Sequence, residues 1–135
     1  MFEYIDVSHV VAMHEVLIQK YGGTQGIRDK GLLESAVMQP QQSAFGEDIF
    51  PDIFSKAAAY VFYISENQPF LDGNKRSATA TAITFLRLNG YDLNVSDKDL
   101  YETIIDLANK RISREDLSAW FQKNSVKKKN RKKKR

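Results

Sequence analysis

The sequence contains no cysteine and only two histidines, His9 and His14. A disulfide framework, a thiolate metal site and a histidine-rich metal site are therefore excluded. No run of apolar residues reaches the length needed to cross a membrane, and Glu3 and Asp6 stand where a secretory leader would be basic and then apolar. We therefore expect a cytoplasmic protein that makes no membrane contact.

Basic residues are scarce outside the C-terminal end, although the 135-residue chain has a net charge of +3. Residues 127–135 hold eight of the twenty Lys and Arg residues and none of the seventeen Asp and Glu residues, so the rest has a net charge of about −5. Length and charge predict one mildly acidic domain over 1–124. A tail over 125–135 should be disordered because its like charges repel one another, and contact with nucleic acid is expected only there.

Apolar residues recur at helical spacing in six stretches, and no alternating strand pattern of useful length occurs, which predicts an all-α domain. The first helix is expected to run from an N-cap at Ser8 to about Tyr21, and the second to begin at the cap Asp29. The third, over about 53–66, is apolar on most of its circumference and should therefore be buried. Three further helices are expected to begin after Asn74, Ser96 and Ser113.

His14 falls on or beside the apolar face of the first helix, with Val10, Leu17 and Tyr21 at helical spacing around it. A histidine in this place is favoured to be a hydrogen-bonded packing residue. A direct catalytic role is the alternative interpretation, because imidazole accepts protons near neutral pH.

The stretch from 67 to 79, NQPFLDGNKRSAT, has the features of a phosphate-binding turn. Gly73 lets the backbone approach a phosphate closely, and the N-terminus of the helix that follows attracts anions. Lys75 and Arg76 add full positive charges, the arginine as a bidentate fork and the lysine as a point charge. Asp72 is a hard oxygen ligand suited to Mg²⁺. A capped helix with surface cations would explain the same residues without any ligand.

The segment QPFLDGNKRSA resembles the HPFxDGNKRTA signature of the Fic/Doc superfamily, in the form carried by Doc (death-on-curing) toxins. Matching positions are Pro69, Phe70, 72–76 and Ala78, and GIRDKGLLESA is similar to a phrase that Doc proteins carry at a similar distance. The resemblance covers about 8–121. It implies the Fic fold, an all-α bundle of about six helices with a small flap, a hairpin between the second and third helices.

In Fic-like proteins this flap aligns the target segment near the nucleotide. The corresponding connection in this chain, 41–51, contains Phe45, Ile49 and Phe50. These apolar side chains either pack back on the domain or present a surface for substrate docking.

The resemblance also implies a reaction, with ATP and Mg²⁺ as cofactors. Asp72 would hold the metal ion, and Gly73, Asn74, Lys75 and Arg76 would bind the phosphates. Fic enzymes with glycine after the asparagine transfer AMP to a hydroxyl, whereas Lys75 fills that slot here, as in Doc. In Doc the lysine turns the nucleotide around, so that the γ-phosphate is transferred to a threonine of elongation factor Tu and translation stops. The partner is a Phd-type antitoxin whose C-terminal segment closes the site.

Gln68 occupies the position of the catalytic histidine, the family's general base. An imidazole accepts a proton near neutral pH, whereas a carboxamide is essentially non-basic, so the loss of acid–base catalysis alone is on the order of 10²–10⁴-fold. We therefore expect a chain that binds nucleotide and antitoxin but is catalytically impaired. One base change separates histidine and glutamine codons, so a natural variant and an inactivating substitution both fit this residue.

Three alternative functions stay open. The first is AMP transfer to a protein hydroxyl, against which Lys75 argues. The second is a non-catalytic regulatory or antitoxin-binding homologue, which Gln68 favours. The third is nucleic-acid binding through the tail, which predicts salt-dependent RNA binding that is lost on truncation after Asn124. No clear match to the inhibitory-helix motif of some Fic proteins occurs, so inhibition in trans is expected.

Overall fold

The computed structural model of the protein describes residues 1–128. This part of the chain contains six helices: α1 (Val7–Tyr21), α2 (Lys30–Met38), α3 (Ile53–Asn67), α4 (Asn74–Leu88), α5 (Asp97–Ala108) and α6 (Arg114–Asn124). A short 3₁₀ turn, Gln39–Gln41, follows α2. Four short strands form two antiparallel pairs, β1 (Ser43–Ala44) with β2 (Glu47–Asp48), and β3 (Tyr91–Leu93) with β4 (Ser125–Lys127). The predicted all-α domain with a hairpin between the second and third helices is confirmed.

Helix α3 lies at the centre of the domain and packs against α2, α4, α5 and α6. Its alanines at 57–59 are fully buried, because such small side chains let neighbouring helices approach closely. Tyr60 on the same helix is also buried, and its hydroxyl accepts a hydrogen bond from the Ile5 N–H (3.0 Å). Burial raises the pKa of Tyr60 above its ordinary value. The buried character predicted for the third helix is thereby confirmed, and α3 supports the loop that leads into α4.

The start of α1 differs from the expectation. Asp6, not Ser8, is the N-cap, since its carboxylate accepts the His9 N–H at 2.9 Å and the Ser8 hydroxyl donates to the same carboxylate at 2.8 Å. These two bonds hold the pKa of Asp6 below its ordinary value, with the His9 N–H as the larger cause. Asp6 and Ser8 are both of residue types that cap helices, and the side chain of the earlier one accepts the hydrogen bond from the first turn. The predicted cap of α2 at Asp29 is confirmed.

The connection between the second and third helices both packs and presents a surface. Phe50 is buried in the core, whereas Phe45 and Ile49 are exposed. We call residues 43–48 the flap hairpin. Its turn residue Phe45 has φ 54° and is followed by Gly46 with φ 81°, the pattern of a two-residue turn with both central residues left-handed.

The tail was expected to be disordered from residue 125 onward, but its first three residues form strand β4. Its three residues pair with β3 in the register Tyr91↔Lys127, Asp92↔Val126 and Leu93↔Ser125. A strand of this length shows no recognisable alternation in the sequence, and its order comes from hydrogen bonds to β3. Residues 129–135, to which the rest of that expectation applies, lie outside the described residues. No helix within 1–128 is long and apolar enough to span a membrane.

Candidate active site

The motif loop, residues 68–73, joins α3 to α4. Gln68 ends α3 in the left-handed conformation (φ 45°, ψ 57°), and Gly73 begins α4 in the same region (φ 74°, ψ 24°). Within the described chain, no side chain caps the N-terminus of α4. The first turn of α4 therefore has N–H groups without a side-chain partner, and anion binding there stays a prediction.

His14 of α1 supports the loop from the core side. Its side chain is buried, its Nε2 lies 2.8 Å from the Asp72 carbonyl oxygen, and its ring stacks on Phe70 with centroids 3.8 Å apart and an interplanar angle of 5°. A carbonyl only accepts, so Nε2 carries the proton in this contact. His14 is thus the packing histidine that the sequence favoured.

Arg28 fixes the end of α3. Its guanidinium donates to the carbonyl oxygens of Asn67 (2.8 Å) and Gln68 (2.7 Å), the last residues before the turn. Such carbonyls have no partner inside their own helix, and a cation at a helix C-terminus is also favoured by the helix dipole. Arg28 therefore sets the direction in which position 68 leaves the helix.

The backbone around Arg28 also pairs with the motif loop. The N–H groups of Arg28 and Asp29 both donate to the Pro69 carbonyl, at 2.7 and 3.0 Å, and the Leu71 N–H donates to Gly26 at 3.0 Å. An added Cβ at Gly26 would lie only 2.9 Å from the Leu71 side chain. The residues of the GIRD segment (26–29) alone predict only a capped turn. Its similarity to Doc proteins was the signal in the sequence that this segment has a further role.

Asp72 is held with both carboxylate oxygens in defined positions. One oxygen accepts the Gly73 N–H at 2.9 Å, and the other accepts the Thr24 N–H at 3.1 Å. Gly23 lies so close that an added Cβ would be 2.7 Å from the second oxygen. Each carboxylate oxygen accepts a further bond, so the exposed side chain is oriented and still available as a ligand.

Asn74 has a different role in the loop from the one that its position suggested. Its side-chain oxygen accepts the Phe70 N–H at 2.9 Å and its Nδ2 donates to the Phe70 carbonyl at 3.1 Å. One Nδ2 hydrogen and the backbone N–H remain for a ligand. The amide therefore closes the loop on itself, and phosphate binding by Asn74 stays a prediction.

Lys75 and Arg76 are exposed on the first turn of α4. Among residues 1–128 neither forms an ion pair. The Arg76 guanidinium lies 4.5 Å from the centroid of the Tyr21 ring, a cation–π distance that restrains the side chain without neutralising it. Tyr21 was expected as the end of the first helix and as part of its apolar face, but its side chain is exposed. Nothing in its sequence neighbourhood pairs it with Arg76.

All six predicted site residues border one groove of about 770 Å³. Its polar side is formed by Gln68, Asp72, Gly73, Asn74, Lys75 and Arg76. Its other side, from α1, α4 and α5, includes Leu17, Tyr21, Ile83, Leu100, Tyr101 and Ile104. A cavity with an anion-binding end and an apolar end suits a ligand with the same two ends.

Position 68 has access to this groove but not the chemistry of a base. The Gln68 side chain is exposed and lines the cavity. A carboxamide donates and accepts hydrogen bonds but does not take up a proton near neutral pH. Position 68 therefore presents to the groove a side chain that forms hydrogen bonds but cannot act as a base.

The donor set at the loop fits an ion that prefers oxygen ligands and is held in part by its substrate. No cluster of three or more His, Asp or Glu side chains that could hold a metal occurs in residues 1–128. Asp72 offers a single carboxylate beside an anion-binding helix end, which fits Mg²⁺, an ion commonly held by one or two carboxylates together with substrate phosphates and water. It does not fit zinc, which takes at least three protein ligands.

Comparison with known proteins places the loop in a family. Residues 4–86, which contain all six predicted site residues, match the model of the Fic/DOC family. The chain is 41% identical over 93 residues to Toxin Doc of Mycolicibacterium smegmatis (strain ATCC 700084 / mc(2)155), which is 69% of each chain. It is 34% identical over 87 residues to Protein kinase doc of Escherichia phage P1, which is 64% of this chain and 68% of the relative.

Proposed function

Because the chain belongs to the Fic/DOC family and is similar to Doc toxins, we propose that it is the toxin of a type II toxin–antitoxin module. Its site is that of an ATP-dependent protein kinase, impaired by Gln68. The observation that carries this proposal is the coincidence of Asp72, Lys75 and Arg76 at an uncapped helix N-terminus in one groove. The relative named as a protein kinase supports the choice of phosphoryl transfer.

The charges and the uncapped N–H groups at the start of α4 support phosphate binding. Lys75 and Arg76 are unpaired within residues 1–128, and the α4 N-terminus adds backbone donors. Asp72 would hold Mg²⁺, which supplies neutralisation of phosphate charge when bound. The hydrogen bonds from the Thr24 and Gly73 N–H groups fix the orientation of the Asp72 carboxylate that would hold this ion.

Proton transfer is the step that this chain lacks. In γ-phosphate transfer the target hydroxyl oxygen bonds to the γ-phosphorus, the bond from that phosphorus to ADP breaks, and ADP leaves. The hydroxyl must lose its proton in this step, and in the family a histidine at position 68 accepts it. Gln68 orients the hydroxyl at most. Phosphoryl transfer also depends on positioning and charge stabilisation, so we expect residual rather than zero turnover.

The proposed target is a threonine of elongation factor Tu, and the proposed partner is a Phd-type antitoxin. Similarity to Toxin Doc supports a toxin that has an antitoxin. The apolar half of the groove, with Tyr101 exposed and Leu100 half-buried, supplies a surface on which a partner segment would cover the site.

Restoring the base tests the proposal. Expression of Gln68→His in a bacterial host should arrest growth, and a Phd-type antitoxin should relieve the arrest, whereas the chain as written should arrest growth weakly or not at all. Phosphate transfer from labelled ATP to purified elongation factor Tu should rise on the order of 10²–10⁴-fold. Gln68→Asn is the matched control because it also lacks a base. Unchanged growth and transfer with Gln68→His would count against the kinase.

Gln68 itself favours one other function, a non-catalytic homologue that binds the antitoxin or regulates a second toxin. In that case Gln68→His would leave growth unaffected while antitoxin binding persisted. AMP transfer is separated from phosphoryl transfer by the mass added to the target in the same experiment, and Lys75 favours the phosphate.

A further inference from the structure

Lys56 of α3 is a fully buried lysine that the proposed reaction does not use. Its ammonium nitrogen lies 2.9 Å from the Asp48 carboxylate and 3.2 Å from the Pro40 carbonyl oxygen. The rings of Phe2 and Tyr4 lie 4.9 and 5.4 Å from the same nitrogen. A buried ammonium is tolerated only with such partners, since burial removes its hydration.

The two hydrogen-bond acceptors lie near the two ends of the flap hairpin. Pro40 lies in the 3₁₀ turn that precedes the hairpin, and Asp48 is the last residue of β2. One ammonium therefore joins both ends of the hairpin to α3. The Ile49 N–H, which donates to the Gln42 carbonyl at 3.0 Å, closes the same base.

The flap hairpin depends on contacts at its base. Its strands are two residues each, and a single short hairpin is at best marginally stable by itself in water. All four strand residues and the turn residue Phe45 are exposed, so burial of these side chains adds little. The bonds to Lys56 supply what the hairpin lacks.

We propose that Lys56 is the positioning residue of the flap hairpin. It fixes both ends of the hairpin to α3, about three helical turns before Gln68, so the flap hairpin and the motif loop share one support. The order of the hairpin is independent of the reaction. The part that an ordered flap hairpin plays in aligning a target protein rests on the proposed function.

Hydrogen exchange tests this assignment directly. Lys56→Met keeps most of the buried stem and removes the charge and the donors, and it should speed amide exchange in the peptide covering 42–49 by about tenfold or more. Exchange in α4 should stay the same. Lys123→Met, at an exposed position of α6, is the matched control and should change neither segment.

Asp48→Asn provides a second variant in case Lys56→Met does not fold, because this side chain is 42% exposed and an asparagine oxygen can still accept a hydrogen bond from the Lys56 ammonium. It should speed exchange in the same peptide by a smaller factor. If the two residues act as a unit, the double variant should exchange no faster than Lys56→Met alone. Unchanged exchange in 42–49, or equal acceleration in 42–49 and α4, would overturn the assignment.

Kinetics then separate this assignment from the proposed function. In the Gln68→His protein, Lys56→Met should raise KM for the protein target several-fold and leave KM for ATP unchanged. If the flap hairpin loosens and neither KM changes, Lys56 still positions the hairpin, and the proposed part of the flap in target alignment is the claim that fails.

Discussion

The motif loop and the flap hairpin are segments of about the same length, each lying between two helices, and they are stabilised in opposite ways. Backbone groups of the motif loop bond to His14, Gly26 and Arg28, and the Asp72 side chain of the loop accepts the Thr24 N–H. These partners come from α1 and the segment between α1 and α2. The flap hairpin is held at its base by Lys56, and its tip residue Phe45 is exposed.

The difference corresponds to what each connection would bind. A phosphate group has a fixed shape and charge, so a site for it gains from donors that are positioned before binding. A protein segment varies in shape and must enter and leave, which a short connection with a free tip permits. Substitutions in the two connections should therefore differ in their effect on the free energy of unfolding.

Among substitutions that remove a side chain, the largest loss is expected for His14→Ala. The change removes a buried ring stacked on Phe70 and the hydrogen bond to the Asp72 carbonyl, leaving a cavity beneath the motif loop. Urea unfolding should show a loss of about 2–5 kcal/mol. His9→Ala is the control, since His9 lies on the exposed side of the same helix and should change stability by less than about 0.5 kcal/mol. Equal losses would mean that His14 gives the loop no special support.

Two glycines with similar backbone angles give the second comparison. Gly73 in the motif loop has φ 74° and Gly46 in the flap hairpin has φ 81°, so Gly→Ala should cost each about 1–2 kcal/mol for the left-handed conformation. An added Cβ at Gly73 would also lie 3.0 Å from the buried Ile18 Cδ1, whereas nothing lies within 4 Å of one at Gly46.

That crowding should add about 1–3 kcal/mol to the cost at Gly73 alone. The measurement is the difference between the unfolding free energies of Gly73→Ala and Gly46→Ala under the same conditions. The cost of the left-handed backbone is nearly the same at Gly73 and Gly46. The difference in unfolding free energy between the two variants therefore measures the packing around the motif loop. A difference near zero would contradict the claim that α1 packs tightly against this loop.

The sequence predicts the six helices and the six groove residues because both depend on neighbours along the chain. Helical spacing of apolar residues marks the helices, and positions 68–76 hold every predicted site residue within one turn and one helix start. Residues that act across the fold were missed. Arg28 reaches carbonyls 39 and 40 positions away, and nothing local to it marks those partners.

Lys56 and the N-cap of α1 were missed for two different physical reasons. In the segment SKAAAY, a lysine looks like the exposed side of a helix, and its burial depends on Asp48 and on rings near the N-terminus. Asp6 and Ser8 are both good caps, so the choice between them depends on which side chain meets the free N–H groups. Strand β4 was missed because its partner β3 lies more than thirty residues earlier.

The smallest effect is expected at the tip of the flap hairpin, with the opposite sign. Phe45 is fully exposed and has φ 54°, so it combines backbone strain with no packing to offset it. Asparagine adopts this conformation more readily, and Phe45→Asn should raise the unfolding free energy by about 0.5–1 kcal/mol. Phe45→Ala removes the ring and keeps the Cβ, so it should leave stability nearly unchanged. A clear loss with Phe45→Ala would show that the ring packs on the domain. A gain in unfolding free energy with Phe45→Asn, together with losses for substitutions in the motif loop, would show that Phe45 destabilises the tip of the flap hairpin. Such a residue is expected where a side chain serves an intermolecular contact.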